Sequence, residues 1–181
     1  MKAVLLIGLA LALAPDALAH RLDEYLQATR VTVSTNRIEI SIELTPGVAV
    51  ADQVMAVIDK NRDGQISSVE RDQYGEQFLK DLQLKLDEKV LALRLVEASF
   101  PSIIEMQSGV GVICLKATAS SVLLTAGKHS LCLSNSHLPR FSVYLVNALT
   151  PKIPAVQITK QTRDELQKEY RLEFEIATGH R

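Results

Sequence analysis

The chain has no tryptophan, only two cysteines, and aromatic residues make up 4% of its 181 positions. So few flat rings exclude a stacking platform for bases or sugars. Two cysteines without a Cys-x-x-Cys spacing exclude a thiolate metal site. An excess of charge of either sign is also missing. Twenty Lys and Arg stand against twenty-one Asp and Glu, for a formal net charge of −1 with no basic stripe. Nucleic acid is therefore not an expected partner. No nucleophile elbow, zinc-ligand motif or phosphate loop occurs either, which argues against an enzyme.

Long hydrophobic runs are absent after the first nineteen residues. In that opening stretch Lys2 supplies a positive end, Ala3 to Ala14 is apolar, and Ala17-Leu18-Ala19 is a small-x-small cleavage pattern. Pro15 and Asp16 interrupt it before it reaches the roughly twenty apolar residues a membrane span needs. Residues 1–19 are expected to be a signal peptide, and cleavage before His20 would export a single domain of residues 20–181, not membrane-spanning, to the periplasm or beyond.

Residues 59–70, DKNRDGQISSVE, carry the one segment that specifies a chemistry. They match the EF-hand calcium loop at each defining position. Calcium is a hard cation that takes roughly six to eight oxygens. Asp59, Asn61 and Asp63 stand at loop positions 1, 3 and 5, and Gln65 at position 7 offers its backbone carbonyl. Ser67 at position 9 binds directly or through water, and Glu70 at position 12 is long enough to give both carboxylate oxygens. Gly64 occupies the sharp turn at position 6, where a side chain is expected to obstruct. Ile66 at position 8 is the single apolar anchor. A polar turn between two helices needs neither this oxygen spacing nor that anchor.

The flanks agree. Val50, Ala51, Val54, Met55 and Ile58 recur at helical spacing up to the loop. Ser67 with Glu70 is a capping-box pair that starts an outgoing helix, with Tyr74, Phe78 and Leu82 on one face. Gly75 inside that helix costs up to ~1 kcal/mol of propensity, so the helix is expected to be short or tightly packed. Partnerless EF-hands are unusual, and Ile66 is expected to dock on the rest of the domain.

Elsewhere the pattern is that of strands. Ile38, Ile40, Ile42 and Leu44 alternate with polar residues, and Tyr25 to Val33 is expected to pair with them through a turn at 34–36. Leu82 to Leu86 and Leu91 to Leu95 form a second hairpin. Val110 to Leu115 and Phe141 to Leu149 read as strands buried on both faces, and His129 to Asn135 and Leu166 to Ile176 complete the set. About eight short strands predict an antiparallel β-sandwich, with the helix–calcium loop–helix inserted at about 48–81.

Cys114 and Cys132 would lie opposite each other if the strand around Ile113 paired with the one around Leu131 through the loop near Leu123. An exported chain would then form a disulfide; two buried thiols is the other reading. His129, His137 and His180 read as solvated surface residues. His20 differs, because cleavage would give it a free α-amine beside its imidazole, a nitrogen pair suited to copper or nickel. The alternative is that signal cleavage merely happens to leave a histidine there.

Residues 20–29 (HRLDEYLQAT), 44–51 (LTPGVAVA), the 59–70 loop and 142–148 (SVYLVNA) resemble a family of exported bacterial EF-hand/β-sandwich proteins of largely unknown function. They are also similar to the extracytoplasmic N-terminal region of nickel/cobalt transporters and hydrogenase/urease accessory membrane proteins. Those regions too begin with His after signal cleavage and continue with a hairpin, a DxDxDG-type loop and further strands. The resemblance implies an accessory domain. The His-rich stretches common in such transporters are missing here, so a transport role is not carried over. The expectation is an exported calcium-binding module in which Ca2+ is mainly structural, acting as a binding or accessory protein. Transition-metal binding or delivery through His20 is the alternative.

Overall fold

The computed structural model describes residues 23–119 and 124–177. The stretches 1–19 and His20, read above as signal peptide and mature N-terminus, lie outside the described residues, as do Leu123 and His180.

The strictest alternation in the sequence gives the longest strands. β1 (Tyr25–Val33) and β2 (Ile38–Pro46) bury every second residue. They pair antiparallel, as the sequence predicts, and do so over their full length, with Val33 opposite Ile38 and Tyr25 opposite Pro46. After β2 come α1 (Ala51–Ile58) and α2 (Ser68–Lys80), joined by the 59–67 segment. β3 (Leu82–Leu86) and β4 (Lys89–Leu91) form a short hairpin, followed by β5 (Arg94–Ser99) and α3 (Ile103–Gln107). The remaining strands are β6 (Ile113–Ala119), β7 (Gly127–Asn135), β8 (Ser142–Ala148), β9 (Val156–Arg163) and β10 (Glu169–Ile176).

These strands make two five-stranded sheets, β5-β6-β2-β1-β8 and β4-β3-β7-β10-β9. The chain is thus mainly β, and the two-sheet arrangement is consistent with a β-sandwich. One hydrophobic cluster joins the sheets: Ile38, Ile40, Ile42, Ile113 and Leu115 come from the first, Leu84, Leu131, Leu172 and Phe174 from the second. Each such fully buried side chain contributes about 2 kcal/mol of transfer free energy. Val54, Ile58, Tyr74 and Phe78 of the helices belong to the same cluster, so the helical insertion shares the core.

Several expectations are corrected. The pairing of β1 with β8 is parallel, so the sheets are not purely antiparallel. β8 is not buried on both faces. It is an edge strand whose alternate residues are open, with Leu145 on the outside. The 110–115 stretch becomes a strand only at Ile113, and Val110 stands exposed. Leu91 to Leu95 is split: the chain leaves the second sheet after Leu91 and joins the first at Arg94. β9 and α3 have no counterpart in the sequence reading. β9 is an edge strand whose residues are mostly exposed, so it lacks the apolar alternation that marks a half-buried strand.

The cysteine expectation fails for a topological reason. β6 pairs with β2 and β5, whereas β7 pairs with β3 and β10, in the other sheet. Cys114 alternates with buried Ile113 and Leu115, and Cys132 with buried Leu131 and Leu133. Both side chains therefore sit on the outer faces of different sheets, away from each other. They are two free, half-buried thiols.

Candidate metal centre

α1 runs directly into the 59–70 loop: the Asp59 N–H donates to the Met55 carbonyl (2.8 Å) and closes the last turn. The loop is then wound around its own side-chain oxygens. Asp59 Oδ1 accepts from the Asp63 N–H (3.2 Å) and Oδ2 from the Gly64 N–H (3.0 Å). Asn61 Oδ1 also accepts from the Asp63 N–H (3.0 Å), and Asp63 Oδ1 accepts from the Gln65 N–H (2.8 Å). Short polar side chains that bond backbone two residues on are how Asp and Asn stabilise turns.

Gly64 turns with φ +77°, in the left-handed region that favours glycine. A Cβ at this position would meet nothing within 4 Å. Backbone conformation, not lack of space, is the requirement, which corrects the expected obstruction. Arg62 adopts φ 59° without being glycine, a second left-handed residue in the same turn.

The far end of the loop is held by Glu70. The capping box is formed as the sequence predicts: Ser67 Oγ accepts from the Glu70 N–H, and Glu70 Oε2 accepts from the Ser67 N–H and hydroxyl. Glu70 Oε1 reaches back to the Lys60 N–H (3.1 Å), so a single carboxylate joins both ends of the loop. The Ser67 N–H and hydroxyl, with smaller contributions from the Asn61 and Lys60 amides, hold its carboxyl below the usual range. Glu70 and Asp59 are buried, whereas Asn61, Asp63, Gln65 and Ser67 are exposed. Ile66 is half-buried and packs on the core cluster. α2 is tightly packed as well: a Cβ at Gly75 would come within 2.7 Å of Leu95 Cδ2.

As a cation site the loop fits by donor chemistry: carboxylate, amide and hydroxyl oxygens, and backbone carbonyls, the set a hard ion takes. Each carboxylate has about four lone-pair sites, so the amide bonds leave acceptor capacity on Asp59 and Asp63. The convergence is incomplete. Among the described residues no three His, Cys, Asp or Glu side chains gather closely enough to hold a metal ion. The carboxylates of Asp59, Asp63 and Glu70 are instead turned toward the loop's amides.

A second polar cluster lies at the other end of α2, and the sequence reading missed it. His137, in the β7–β8 connection, is buried rather than solvated, at 1% exposure. Its Nδ1 is 2.7 Å from Asp81 Oδ2, at the C-cap of α2, and its Nε2 is 3.1 Å from the Tyr74 hydroxyl. The Tyr74 hydroxyl bonds in turn to that of Tyr25 on β1. Gln27, wholly buried on β1, donates to the His137 carbonyl and the Ser142 hydroxyl, and accepts from Asn135 Nδ2. Asn135 Oδ1 accepts the His137 N–H, and the Tyr144 hydroxyl donates to the His137 carbonyl. No buried side-chain nitrogen or oxygen among the described residues lacks a partner. The signal available in the sequence was Gln27 and Thr29, polar residues at the positions where β1 alternates inward.

His129 is also less solvated than expected. Its side chain is 10% exposed, stacks on Phe174, and places Nδ1 2.7 Å from Asp87 Oδ2 and Nε2 2.9 Å from the Thr125 carbonyl.

Among the described residues no helix is long and apolar enough to cross a membrane. Compared with known protein families, with curated proteins and with solved structures, the chain matches none of them.

Proposed function

We propose that this chain is a calcium-binding β-sandwich module, exported after signal cleavage, whose 59–70 loop is a single EF-hand and whose ion stabilises the fold. Its role is that of a binding or accessory protein. The observation that carries the reading is the double duty of Glu70: it caps α2 through Ser67 and closes the loop onto Lys60. That placement supports Glu70 as the position-12 ligand the motif requires. The ion, when bound, supplies a cross-link between oxygens at the two ends of the loop. The chain's own residues do the rest. Asp59 and Gly64 set the turn, Ile66 fixes the loop to the core, and α2 carries Glu70 on a helix buried along Tyr74 and Phe78.

Three carboxylates are partly offset by Lys60 and Arg62, so the affinity should be modest, about 10⁻⁵ to 10⁻³ M. Calorimetric titration with calcium tests this, and Glu70→Gln should remove most of the heat, because an amide nitrogen replaces one ligand oxygen. Binding only to the folded state at 100 times the dissociation constant adds about 2.7 kcal/mol, so calcium should raise the Tm. A protein that gives no calcium heat at millimolar ion sinks the reading. A rise in hydrophobic-dye binding without a change in Tm would mark a sensor rather than a structural ion.

A further inference from the structure

We infer that the chain Asp81–His137–Tyr74–Tyr25 is a pH-sensitive latch that holds the helix–loop–helix unit on the sheets and loosens as His137 takes up a second ring proton. The inference goes beyond the calcium reading and does not depend on it.

The latch spans three parts of the fold. Tyr74 lies on α2 and Asp81 caps its C-terminus, His137 belongs to the β7–β8 connection, and Tyr25 opens β1, where it pairs with Pro46. The hydrogen atoms can be placed by elimination. An ionised carboxylate only accepts, so Nδ1 of His137 carries the proton given to Asp81. In the neutral ring Nε2 is then an acceptor, and the Tyr74 hydroxyl must donate to it. Tyr74 oxygen is left to accept from the Tyr25 hydroxyl. Every donor is used once and every bond points the same way, from Tyr25 toward Asp81.

Protonation at Nε2 reverses this order. Nε2–H becomes a donor and Tyr74 must accept from it, so the one bond between the Tyr74 and Tyr25 hydroxyls is left with two hydrogens to share and one phenol hydrogen loses its acceptor. Tyr25 is wholly buried and Tyr74 nearly so. Water therefore does not reach the stranded donor, and an unpaired buried donor is costly. The groups facing the ring are few. Asp81 and the phenol of Tyr74 come from α2, the phenol of Tyr25 from β1, and the Tyr144 phenol from β8 binds the His137 carbonyl rather than the ring. Phe78 packs its ring 4.6 Å from the imidazole. Asp81 favours the imidazolium, but burial outweighs it and pushes the His137 pKa below its ordinary value. The phenols of Tyr25 and Tyr74 are pushed up by burial and stay neutral throughout.

The sign follows. When α2 lifts off, His137 meets water and regains its ordinary pKa near ~6.5. The lifted state then binds the proton first as pH falls, so latching is strongest above ~6.5 and is lost as pH falls through the folded value.

Amide exchange of the whole protein in chelator, with no calcium, tests the latch, with the His137 ring titration followed by NMR in the same samples. After correction for intrinsic exchange, protection of the α2 amides should fall by up to about tenfold per pH unit below ~6.5, ending at the His137 midpoint. The amides of β2 and β7 should keep theirs. His137→Gln should abolish the pH slope in α2. The inference is overturned if α2 protection stays flat while His137 titrates, if the core strands lose protection in step with α2, or if the slope persists in a folded His137→Gln protein. Should that variant not fold, the wild-type profiles still decide.

Discussion

His129 and His137 place the same atom at the same distance from the same partner, Nδ1 2.7 Å from an aspartate oxygen, yet they answer to pH in opposite directions. The difference is made by the depth of burial and at the other ring nitrogen. Nε2 of His129 meets the Thr125 carbonyl, which can only accept, so both nitrogens are best served by the imidazolium. Nε2 of His137 meets a hydroxyl that can donate, in a chain whose hydrogens run one way when the ring is neutral. Burial lowers the pKa at both, but at His129 the Asp87 and Thr125 bonds overcome it and the net shift is upward. At His137 the Asp81 bond does not overcome it, and the net shift is downward. Ser67–Glu70 and Ser102–Glu105 form a second such pair: identical capping boxes, one inside the candidate calcium loop and one at the short helix α3. A local motif fixes geometry; its surroundings decide what that geometry does.

The largest expected effect comes from emptying the two histidine sites. His137→Ala opens a cavity in the core and leaves the Tyr74 hydroxyl and the Asp81 carboxylate without their partner, which should cost about 4 kcal/mol at pH 7. His129→Ala should cost about 1 kcal/mol, because Asp87 is 46% exposed and water replaces the lost bond. Urea unfolding at fixed pH measures both. Equal losses would mean that the buried network carries no more of the fold than a surface pair does.

That contrast also marks what could be read in advance. The bonds within the 59–70 loop join residues two to ten positions apart, so Asp59, Asn61, Asp63, Gly64, Ser67 and Glu70 announce their arrangement in one short window. The capping box was legible for the same reason. The bonds that tie β1 and α2 into the buried network join residues 49 to 115 positions apart, Tyr25 to Tyr74 and Gln27 to Ser142 among them. No local pattern brings those together; they meet because β1 pairs with β8 in parallel and α2 shares the core. The pairing of β1 with β2 was legible, since alternation of Ile38 to Leu44 fixes the face. The sheet to which each strand belongs was not. Alternation says which side is buried but names no partner, so the strand pairing on which a Cys114–Cys132 bond depends was not legible, and the two lie on different sheets.

A smaller effect separates the two capping boxes. Ser67→Ala and Ser102→Ala each remove one side-chain acceptor from a helix N-terminus, and each should cost about 1 kcal/mol. Their stability losses should thus be similar. Calcium titration should tell them apart: Ser67→Ala weakens the binding, because Ser67 holds Glu70 Oε2 and is itself a loop oxygen, while Ser102→Ala leaves it unchanged. If both substitutions weaken calcium equally, the ion senses general stability and not the geometry of 59–70.

The smallest effect is the most specific. A histidine whose folded pKa is raised adds stability that is fully present below ~6.5 and disappears as pH rises through the folded value. His129 is of this kind. One whose folded pKa is lowered adds stability present above ~6.5 and lost as pH falls through the folded value, which is the case of His137. Glutamine keeps a polar planar group at either site but cannot titrate. His129→Gln should therefore destabilise more at pH 5.5 than at pH 8, and His137→Gln more at pH 8 than at pH 5.5. The carboxylates do not blur the window. Glu70 and Glu105 are held below the usual range by their serines, Glu43 by Arg30, and Asp87 by His129 and the Ser130 N–H against an upward push from burial. Their own losses come as pH falls below ~4.5. Thermal melts of the wild type and both variants across pH 5.5 to 8 resolve the signs even where the shifts are small. If the two variants trend in the same direction, the two pairs do not differ in the sign of their response, and neither burial nor the second ring nitrogen separates them.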